Sequence, residues 1–361
     1  MKKTLSVYHY CYLPFSETFI YRQLLGLSTY FDLTILTHKI EDTNEFPGLH
    51  PILIPKQKRF RRLFDREKRF FQKYLRASDL FHVNFGHIAI HMQDQALRAG
   101  IPMITHFHGV DASACLKDPL YCEKLKKSKF QAVFVCSEDM KKRLSPYLPK
   151  DMKCFVSYYG LPLEKFPFKH RRSIPDGPTF LQVSRLDTKK GLNITIEAFS
   201  KYSKEVDSKS NLVITGDGPL RDELESQVLS LGIDDKVHFL GVVGYKKLIE
   251  LFHSTDVFLH PSVTDDNGDM EGIPNAICEA MATGMPVIST RHSGIPELID
   301  HRVSGLLAKE GDVQSLFDMM VLLKEEDIGE ISRRARTQVE DKFDYSKTIK
   351  ILSDHIMDIV S

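Results

Sequence analysis

Two patterns alternate along the whole chain, and this alternation is the feature that most constrains its fold. Apolar runs of four to six residues, typical of buried strands, are separated by longer stretches of helical periodicity. Such alternation predicts an α/β protein in which helices cover both faces of parallel sheets. The predicted strands are 5–10, 33–37, 80–83, 103–107, 132–136, 155–158, 179–183, 212–215, 237–240, 257–260 and 286–289. The clearest predicted helices are 19–27, 191–206, 220–231 and 275–283.

Length and charge distribution both indicate two domains. A chain of 361 residues is long enough for two domains of ordinary size. Residues 1–165 carry 26 Lys and Arg against 16 Asp and Glu, a net +10, whereas the remainder carries 23 against 32, a net −9. A linker rich in proline and charge, at 161–178, separates the halves. We therefore predict two Rossmann-like, doubly wound domains, 1–165 and 166–344, facing a cleft formed where the carboxyl ends of their strands meet.

The composition also indicates a compartment. The 42% of hydrophobic and 27% of charged residues are typical of a soluble globular protein. No run approaches the roughly 20 apolar residues that a membrane-spanning helix needs, and the first apolar run, 5–10, is predicted to be a strand rather than part of a signal peptide. The six cysteines form no CxxC pair, as expected of reduced thiols in a cytoplasmic protein.

The most informative segment for function runs from 265 to 297. Glu271 and Glu279 stand eight residues apart there, separated by Gly-Ile-Pro-Asn, a turn that can open a helix. A helix N-terminus binds phosphate, and a carboxylate beside it can accept hydrogen bonds from the hydroxyls of a sugar. The segment therefore has the outline of a nucleotide-sugar site.

A second segment, SRLDTKKG at 184–191, follows a predicted strand and opens a helix. Arg185 lies at the end of the strand, and Lys190 lies five residues later, at the start of the helix. Two cations in this position would neutralise a diphosphate leaving group without a metal ion. The alternative is that both are ordinary solvated charges.

A third segment, TGDGPLRDELE at 215–225, also joins a strand to a helix. Gly216 and Gly218 would let the backbone approach a ligand closely. The segment resembles a dinucleotide fingerprint, but Arg221 stands where a third small residue is expected. We therefore predict a tight turn near a nucleotide rather than an NAD site.

Polar residues also follow two predicted strands of the first half. His106 and His108 are two residues apart, so that both would face the same side of a continuing strand, but no third zinc ligand lies at a suitable spacing. His108 and Asp111 are better candidates for contacts to a sugar, with a pair of surface or core histidines as the alternative. Ser16 and Thr18 either cap the helix that begins at 19 or help to place an acceptor.

The segment from Lys56 to Arg76 carries ten Lys and Arg against two acidic residues, with aromatic residues at roughly helical spacing. A basic amphipathic helix can lie on an anionic membrane surface, whereas an ordinary surface helix would turn its apolar stripe into the domain core. Both interpretations stay open. We do not expect nucleic-acid binding, because the second half has no matching basic face. The acidic cluster at 265–269 lacks the spacing of an EF-hand loop, and we predict no metal there.

Together these segments resemble the retaining glycosyltransferases of family four, which have the GT-B fold. The motifs that carry the resemblance are SRL-x3-KG at 184–191, GDGP at 216–219, EGIPNAICEAMATGMPVIST at 271–290 and HSGIPELI at 292–299. The likeness covers nearly the whole chain and is strongest from 179 to 307. SETFIYRQL at 16–24 resembles the colanic-acid subgroup, which makes bacterial exopolysaccharides and O-antigens. Ser16, Glu17 and Thr18 stand where many relatives have a glycine-rich loop.

The resemblance implies a role for each candidate residue of the second domain. Arg185 and Lys190 would bind the donor diphosphate, Glu279 the ribose hydroxyls, and Glu271 the hydroxyls of the donor sugar. Backbone or border contacts to the donor are implied for six further residues: Gly216, Gly218, Leu240, Gly272, Ile273 and Asn275. Pro274 suits the first turn of the helix.

The first domain would supply the rest of the site. His108 would reach the donor sugar across the cleft, and the acceptor side would be formed by Ser16, Glu17, Thr18 and Asp111. The closing helix, 345–361, is expected to cross back onto the first domain.

The implied reaction is transfer of a hexose or N-acetylhexosamine with retention of configuration. Negative charge would develop on the departing diphosphate near Arg185, Lys190 and the helix N-terminus, with no metal or cofactor. A UDP-sugar is the favoured donor, and the acceptor is expected to be a lipid-linked bacterial glycan at the inner face of the cytoplasmic membrane. Alternatives are a GT-B sugar-nucleotide epimerase, a GDP-sugar-dependent transferase with a soluble acceptor, and a binding protein without activity.

Overall fold

The computed structural model describes residues 2–12, 18–41, 48–55 and 64–361, with side chains from Glu67 onward in the last range. The chain divides into two compact units, which we call the first and second domains. The first comprises Met1–Gly160 and Tyr345–Ser361, and the second comprises Leu161–Asp344. The division after Gly160 lies five residues before the predicted boundary. A Cβ on Gly160 would lie 2.5 Å from Cα of Tyr345, so this glycine is packed directly against the returning chain of its own domain.

The first domain is built on a parallel sheet of seven strands. Its strands are β1 Thr4–Tyr8, β3 Asp32–Thr37, β5 Ile52–Leu53, β6 Leu80–Asn84, β7 Met103–Phe107, β8 Ala132–Val135 and β9 Lys153–Val156. They lie in the order β5-β3-β1-β6-β7-β8-β9, while β2 Cys11–Tyr12 and β4 Lys39–Ile40 form a separate pair. Its helices are α1 Thr18–Leu27, α2 Phe64–Leu75, α3 Gly86–Ala99, α4 Pro119–Lys126, α5 Glu138–Leu144 and α13 Tyr345–Val360. Every residue of β6, β7 and β8 is buried, as expected of central strands covered on both faces.

The second domain is built on a parallel sheet of six strands. These are β10 Thr179–Val183, β11 Asn211–Thr215, β12 Val237–Phe239, β13 Val257–His260, β14 Val287–Thr290 and β15 Leu306–Ala308, in the order β12-β11-β10-β13-β14-β15. Its helices are α6 Leu192–Glu205, α7 Arg221–Leu231, α8 Tyr245–Ser254, α9 Asn275–Ala282, α10 Ile295–Leu298, α11 Val313–Leu322 and α12 Ile328–Lys342. The order reverses between β10 and β13. Ligands of such sheets bind in a crevice at the carboxyl ends of the strands where the order reverses.

The sequence predicted this α/β architecture of two doubly wound sheets correctly. Three strands, 103–107, 179–183 and 257–260, have the predicted bounds, and most others differ by one or two residues. The short strands β2, β4, β5 and β15 were not predicted. Helix α6 begins one residue later than expected, because Gly191 takes a left-handed conformation, with φ of 62°, and ends a 3₁₀ turn.

The last helix, α13, packs in the first domain against α1. Tyr345 Oη donates a hydrogen bond of 2.8 Å to the carbonyl oxygen of Arg22. Leu352 and Ile356 are buried in the same apolar cluster as Leu24 of α1. Gly26 of α1 lies directly beneath Ile349, since a Cβ at this position would come within 2.6 Å of that side chain.

Helix α2 contains the described part of the predicted basic segment. Phe71 and Leu75 are buried in the core of the first domain, as the ordinary-helix interpretation requires. Arg69, Lys73 and Arg76 are exposed and follow one another at intervals of four and three residues, which places them on one face. Residues 56–63 lie outside the described residues. Among the helices that are described, none is long and apolar enough to span a membrane.

Candidate functional site

The loops that follow β10 and β13 are locked together at the crevice of the second domain. Residues 188–190 form a 3₁₀ turn, and Gly191 ends it. A Cβ on Gly191 would lie only 2.0 Å from the carbonyl oxygen of Pro261, so only glycine fits this contact. Val263 N donates to the carbonyl oxygen of Lys189 at 3.0 Å. The turn that carries the two lysines is therefore fixed against the loop that leads to Glu271.

Two lysines and two carboxylates form an ionic network at this junction. Lys190 Nζ lies 2.6 Å from Glu271 Oε1, and Lys189 Nζ lies 2.8 Å from Asp269 Oδ2 and 3.9 Å from Glu271 Oε1. The Glu271 side chain is only 11% exposed and that of Lys190 only 16%. The structure thus brings together Lys190 and Glu271, two of the sequence candidates. Sequence reasoning missed Lys189 and Asp269, although the Lys-Lys pair and the acidic cluster were visible.

The network favours the ionised forms of Glu271 and Lys189. Burial alone would raise the pKa of Glu271, but the charges of Lys190 and Lys189 outweigh it and lower that pKa to about 2. Burial would lower the pKa of Lys189, yet Glu271 and Asp269 raise it above its ordinary value. The site therefore presents two ammonium groups against two carboxylates, a set of charges that can exchange partners when an anion arrives.

His260 lies at the carboxyl end of β13, close to this network. It is 1% exposed, and neither ring nitrogen has a hydrogen-bond partner among the described residues. Burial, with a contribution from the charge of Lys190, lowers the pKa of His260 to about 3. The imidazole is therefore neutral at pH 7. In sequence, His260 does not differ from a core histidine at the end of a buried strand.

Helix α9 starts four residues after Glu271. Pro274 occupies the N-cap position of α9, one position before the predicted first turn. Its side chain makes no capping hydrogen bond. The first N–H groups of a helix have no partner within the helix, so an uncapped start is suited to an anion. Asn275 is the first residue of α9, while Gly272 and Ile273 are buried just before it. Glu279 lies on the second turn and is 7% exposed.

Arg185 does not join the ionic network. Its Nη2 lies 2.6 Å from Asp187 Oδ2, and the side chain is 59% exposed. The predicted pair of cations, Arg185 with Lys190, is thus replaced in this structure by Lys189 with Lys190. Arg185 would have to leave Asp187 to contact a diphosphate.

Gly216 and Gly218 approach a neighbouring loop rather than an open space. A Cβ on Gly216 would lie 1.9 Å from the carbonyl oxygen of Ser184, and one on Gly218 would lie 2.4 Å from that of Leu186. Leu186 N also donates to the carbonyl oxygen of Asp217 at 3.0 Å. The close approach of the loop after β10 accounts for both glycines, and their predicted closeness to a nucleotide stays a prediction. They hold the lysine-bearing loop in place.

Apolar side chains are exposed beyond β12. Leu240 is 43% exposed, and Val242 and Tyr245 are also exposed. The carbonyl oxygen of Gly241 accepts hydrogen bonds of 2.8 Å from Gly216 N and Thr215 Oγ1. These exposed residues are thereby tied to the Gly216 turn. A planar base is the kind of group that such a surface can cover.

In the first domain, His108 follows β7 and is held by two side chains. Its Nε2 lies 3.0 Å from Asn84 Oδ1, and its Nδ1 contacts the hydroxyl of Tyr159. Burial, with nearby His9, His82 and His87, lowers the pKa of His108 well below its usual range. Because an amide oxygen only accepts, Nε2 carries the proton and Nδ1 accepts from Tyr159.

His106 lies on the same side of the chain as His108, as predicted. Their rings stack with centroids 5.6 Å apart and an interplanar angle of 12°. His106 Nδ1 lies 3.2 Å from His82 Nε2, and both of these histidines are fully buried. Burial lowers the pKa of His106 well below its usual range. His106 is therefore a core residue, and it supports the ring of His108.

Asp111 is not an acceptor-side residue in this structure. Its side chain has no exposed surface. Its carboxylate accepts from three backbone N–H groups, those of Gly86 at 2.7 Å, His108 at 2.9 Å and Gly109 at 3.1 Å. Asp111 thus ties the loop that carries His108 to the start of α3. A polar residue just after a strand can serve the backbone as readily as a ligand, and the sequence does not distinguish the two.

The remaining acceptor-side candidates are only partly described. Ser16 and Glu17 lie outside the described residues. Thr18 is the first residue of α1 and is partly exposed. Within the described ranges, no group of three or more His, Cys, Asp and Glu could hold a metal ion. Asp269 of the acidic cluster is instead engaged by Lys189.

The sequence of the second domain matches a known family model. Residues 164–340 match the model described as Glycosyl transferases group 1. The amylovoran biosynthesis glycosyltransferase AmsK of Erwinia amylovora is 34% identical over 280 residues, which are 74% of this chain and 67% of that protein. The glycosyltransferase WcaL of Salmonella typhimurium, whose name assigns it to colanic acid biosynthesis, is 29% identical over 314 residues, which are 82% of this chain and 76% of that protein.

Solved structures resemble the chain over nearly its whole length. The crystal structure of Anabaena HepE in complex with UDP and glucose has a TM-score of 0.82 and covers 99% of this chain and 100% of its own. Sucrose-phosphate synthase from Thermosynechococcus elongatus has a TM-score of 0.78 and covers 99% of both chains. Each is 17% identical in sequence, so this likeness concerns the fold.

Proposed function

Since the chain belongs to the group 1 family of glycosyl transferases and has the GT-B fold, we propose that it transfers a hexose or N-acetylhexosamine from a nucleotide sugar to a growing bacterial surface glycan. A UDP-sugar is the donor that we favour. The proposal of exopolysaccharide as the product is supported by relatives named for amylovoran and colanic acid biosynthesis.

The ionic network of the second domain is the observation that carries this proposal. Lys190 and Glu271 meet at 2.6 Å where the strand order reverses, with Lys189 beside them and the uncapped start of α9 nearby. Phosphate groups bind to lysine ammonium groups and to the N–H groups of helix starts. A nucleoside diphosphate is therefore the ligand that best matches this edge of the sheet.

The network also supplies a mechanism. As the bond between the sugar and the diphosphate breaks, negative charge grows on the β-phosphate. Lys190, Lys189 and the start of α9 stabilise this charge where it develops, without a metal ion. The departing diphosphate draws Lys190 away from Glu271, whose carboxylate then accepts hydrogen bonds from hydroxyls of the donor sugar. The sugar becomes oxocarbenium-like, and an acceptor hydroxyl attacks the anomeric carbon on the face that the diphosphate leaves, with retention of configuration. The hydroxyl passes its proton to the departing phosphate.

We propose the other donor contacts from the family resemblance, which gives each of the following residues a role. Glu279 binds the ribose hydroxyls from the second turn of α9, while Leu240, Val242 and Tyr245 cover the base. Arg185 exchanges Asp187 for a phosphate oxygen. His108 acts as a neutral imidazole whose Nδ1 exchanges the Tyr159 hydroxyl for a hydroxyl of the donor sugar.

We propose that the acceptor is a lipid-linked glycan at the cytoplasmic face of the membrane. The basic first domain, the exposed residues Arg69 and Lys73 of α2, and the exposed Arg76 just after this helix support an electrostatic contact with anionic lipids. Because Phe71 and Leu75 are buried, the described part of α2 contacts the surface through charge and does not insert these side chains.

Liposome sedimentation tests the membrane contact. Binding to vesicles that contain phosphatidylglycerol should fall at least tenfold at low salt when Arg69, Lys73 and Arg76 are all replaced by Glu, since each cation near the surface contributes about 1 kcal/mol. The same charge change at Lys126, Lys127 and Lys129, which are exposed elsewhere in the first domain, should have a smaller effect. Equal binding by both triple variants would count against a specific role for α2.

A donor panel tests the activity itself. Nucleotide release is measured from UDP- and GDP-sugars with a membrane extract as acceptor source, and mass spectrometry identifies lipid-linked products. We expect release from one UDP-sugar and a product heavier by one sugar. Isomerised sugar nucleotide without acceptor would indicate an epimerase, and transfer from a GDP-sugar to a soluble acceptor would replace the donor and acceptor proposed here.

A further inference from the structure

The backbone of Glu271 is held on both sides by two consecutive residues of the loop after β14. Glu271 N donates to His292 Nε2 at 3.1 Å. Ser293 Oγ donates to the carbonyl oxygen of Glu271 at 2.6 Å. The position of Glu271 therefore depends on this loop as well as on the lysines that contact its side chain.

His292 is itself anchored from the opposite side. It has no exposed surface, and its Nδ1 lies 3.1 Å from Glu310 Oε2. Glu310 Oε1 accepts from Thr264 N at 2.7 Å and from Thr264 Oγ1 at 2.9 Å. Since Nε2 accepts a backbone N–H, the ring proton lies on Nδ1, the nitrogen nearest the Glu310 carboxylate. The loops after β13, β14 and β15 are thereby linked through one imidazole.

Ser293 adopts a backbone conformation that favours glycine. Its φ is 46°, in the left-handed region, where a residue with a Cβ is strained. Such strain persists at positions where the surrounding structure requires it. Glycine would relieve the strain but has no hydroxyl. The contact from Ser293 Oγ to Glu271 is what the serine adds.

We propose that His292 and Ser293 are positioning residues that fix the two peptide groups flanking Glu271, so that the one between Glu271 and Gly272 is oriented for the donor diphosphate. In a planar trans peptide the N–H points opposite to the C=O. By holding the Glu271 carbonyl oxygen, Ser293 directs the Gly272 N–H to the opposite side. The ligand we assign to this N–H is a phosphate oxygen of the donor. This inference rests on the proposed donor site and adds the residues that set its geometry.

Ser293→Gly separates positioning from folding. The variant removes the hydroxyl and relieves the strain, so its melting temperature should stay the same or rise. We expect kcat for nucleotide release to fall about tenfold, less than the 10²- to 10³-fold that follows complete loss of a transition-state donor. KM should change less than kcat. Arg302→Gly is the matched control, because Arg302 also has a positive φ, of 64°, but its side chain pairs with Glu326; this control should keep the wild-type kcat.

His292 is tested by a pair of variants. His292→Phe retains a ring but cannot accept the Glu271 N–H, and we expect kcat to fall at least tenfold. His292→Gln places an amide oxygen near the position of Nε2 and should recover part of that loss. Hydrogen exchange of the Glu271 amide should be faster in His292→Phe than in His292→Gln. A merely structural role would lower the melting temperature of both variants without this difference in kcat.

The outcomes distinguish this inference from the proposed function. If the wild-type protein releases nucleotide and Ser293→Gly and His292→Phe do so at the same rate, the positioning role is wrong while the donor site stands. If the wild-type protein neither releases nucleotide nor binds UDP or GDP, the proposed function fails and this inference fails with it.

Discussion

Lys190 Nζ lies 2.6 Å from Glu271 Oε1, so that a salt bridge joins the loops that follow two neighbouring strands, β10 and β13. Both side chains are mostly buried, in contrast to most ion pairs among the described residues. Because a buried charge without a partner is costly, neither residue can lose the other without a replacement. We propose that a donor diphosphate replaces Glu271 as the partner of Lys190.

Stability should depend on the charge of Glu271 at low pH. Its pKa is lowered from 4.5 to about 2 in the folded state, so its contribution is complete above pH 4.5 and is lost as the pH falls towards 2. The contribution is on the order of 3 kcal/mol. In urea denaturation, Glu271→Gln should be less stable than the wild type at pH 7 and should lose less stability between pH 4.5 and pH 2.

Glu225→Gln is the control for this pH dependence. Glu225 pairs with Arg221 on the surface of α7, where its side chain is 44% exposed. Its removal should leave the wild-type pH dependence nearly unchanged. Parallel pH curves for the wild type and Glu271→Gln would contradict the low pKa of Glu271.

Lys189 and Asp269 should be coupled energetically. Their contact of 2.8 Å is largely shielded from solvent. A double-mutant cycle with Lys189→Met and Asp269→Asn should give a coupling of about 1.5 to 3 kcal/mol in the free energy of unfolding, as for hydrogen bonds to charged groups. The exposed pair Lys350 and Asp354 of α13 should give a much smaller coupling, because solvent screens its charges. Equal coupling energies in the two cycles would show that burial does not strengthen the contact between Lys189 and Asp269.

Replacement of Gly191 should lower the stability of the protein far more than replacement of Gly232, although both residues have a φ of 62°. A Cβ on Gly232 meets nothing within 4 Å, so Gly232→Ala should cost only the left-handed backbone penalty of about 1 to 2 kcal/mol. Gly191→Ala should cost a further 1 to 3 kcal/mol or so, because the Cβ would press on the backbone of Pro261. Thermal unfolding of the two variants measures the difference directly. Similar losses in both would mean that the loop can move away without cost.

His108 should stay neutral across the physiological range. Burial lowers its pKa well below the usual value, and its contacts place the proton on Nε2. Nitrogen-15 NMR of labelled histidine should show an Nε2–H tautomer that does not titrate between pH 8 and pH 5.5. Tyr159→Phe should change the Nδ1 shift, because that nitrogen loses its donor. A transition near pH 6.5 assigned to His108 would contradict this environment.

Much of the fold could be predicted because buried parallel strands have a strong signal. The segments 103–107 and 257–260 are mostly apolar in sequence, and every one of their residues is buried in the structure. Turn residues flank both segments. The strand β15 has only three residues, too few to show a pattern by themselves. The domain boundary at Gly160 is set by contact with Tyr345, nearly two hundred residues away in sequence, and no local pattern reports such a contact.

Individual residues of the site could be predicted from the sequence, but the contacts between them could not. Spacing placed Lys190 and Glu271 at the ends of neighbouring strands, and the structure joins them. Spacing alone does not show that the 3₁₀ turn directs Lys189 to the same place, or that Arg185 pairs with Asp187. Asp111 shows the same limit, since a buried carboxylate that holds backbone N–H groups looks like a ligand-binding residue in sequence.

Isothermal titration of UDP, with GDP in parallel, tests the proposed donor site most directly. We predict that the wild-type protein binds one nucleotide and that Lys190→Ala weakens binding about 10- to 100-fold, the equivalent of a charged hydrogen bond of about 1.5 to 3 kcal/mol. Lys204→Ala, at an exposed lysine of α6, should bind as the wild type does. Equal affinity of wild type and Lys190→Ala, or no binding of either nucleotide to the wild type, would contradict a diphosphate site at Lys190 and Glu271.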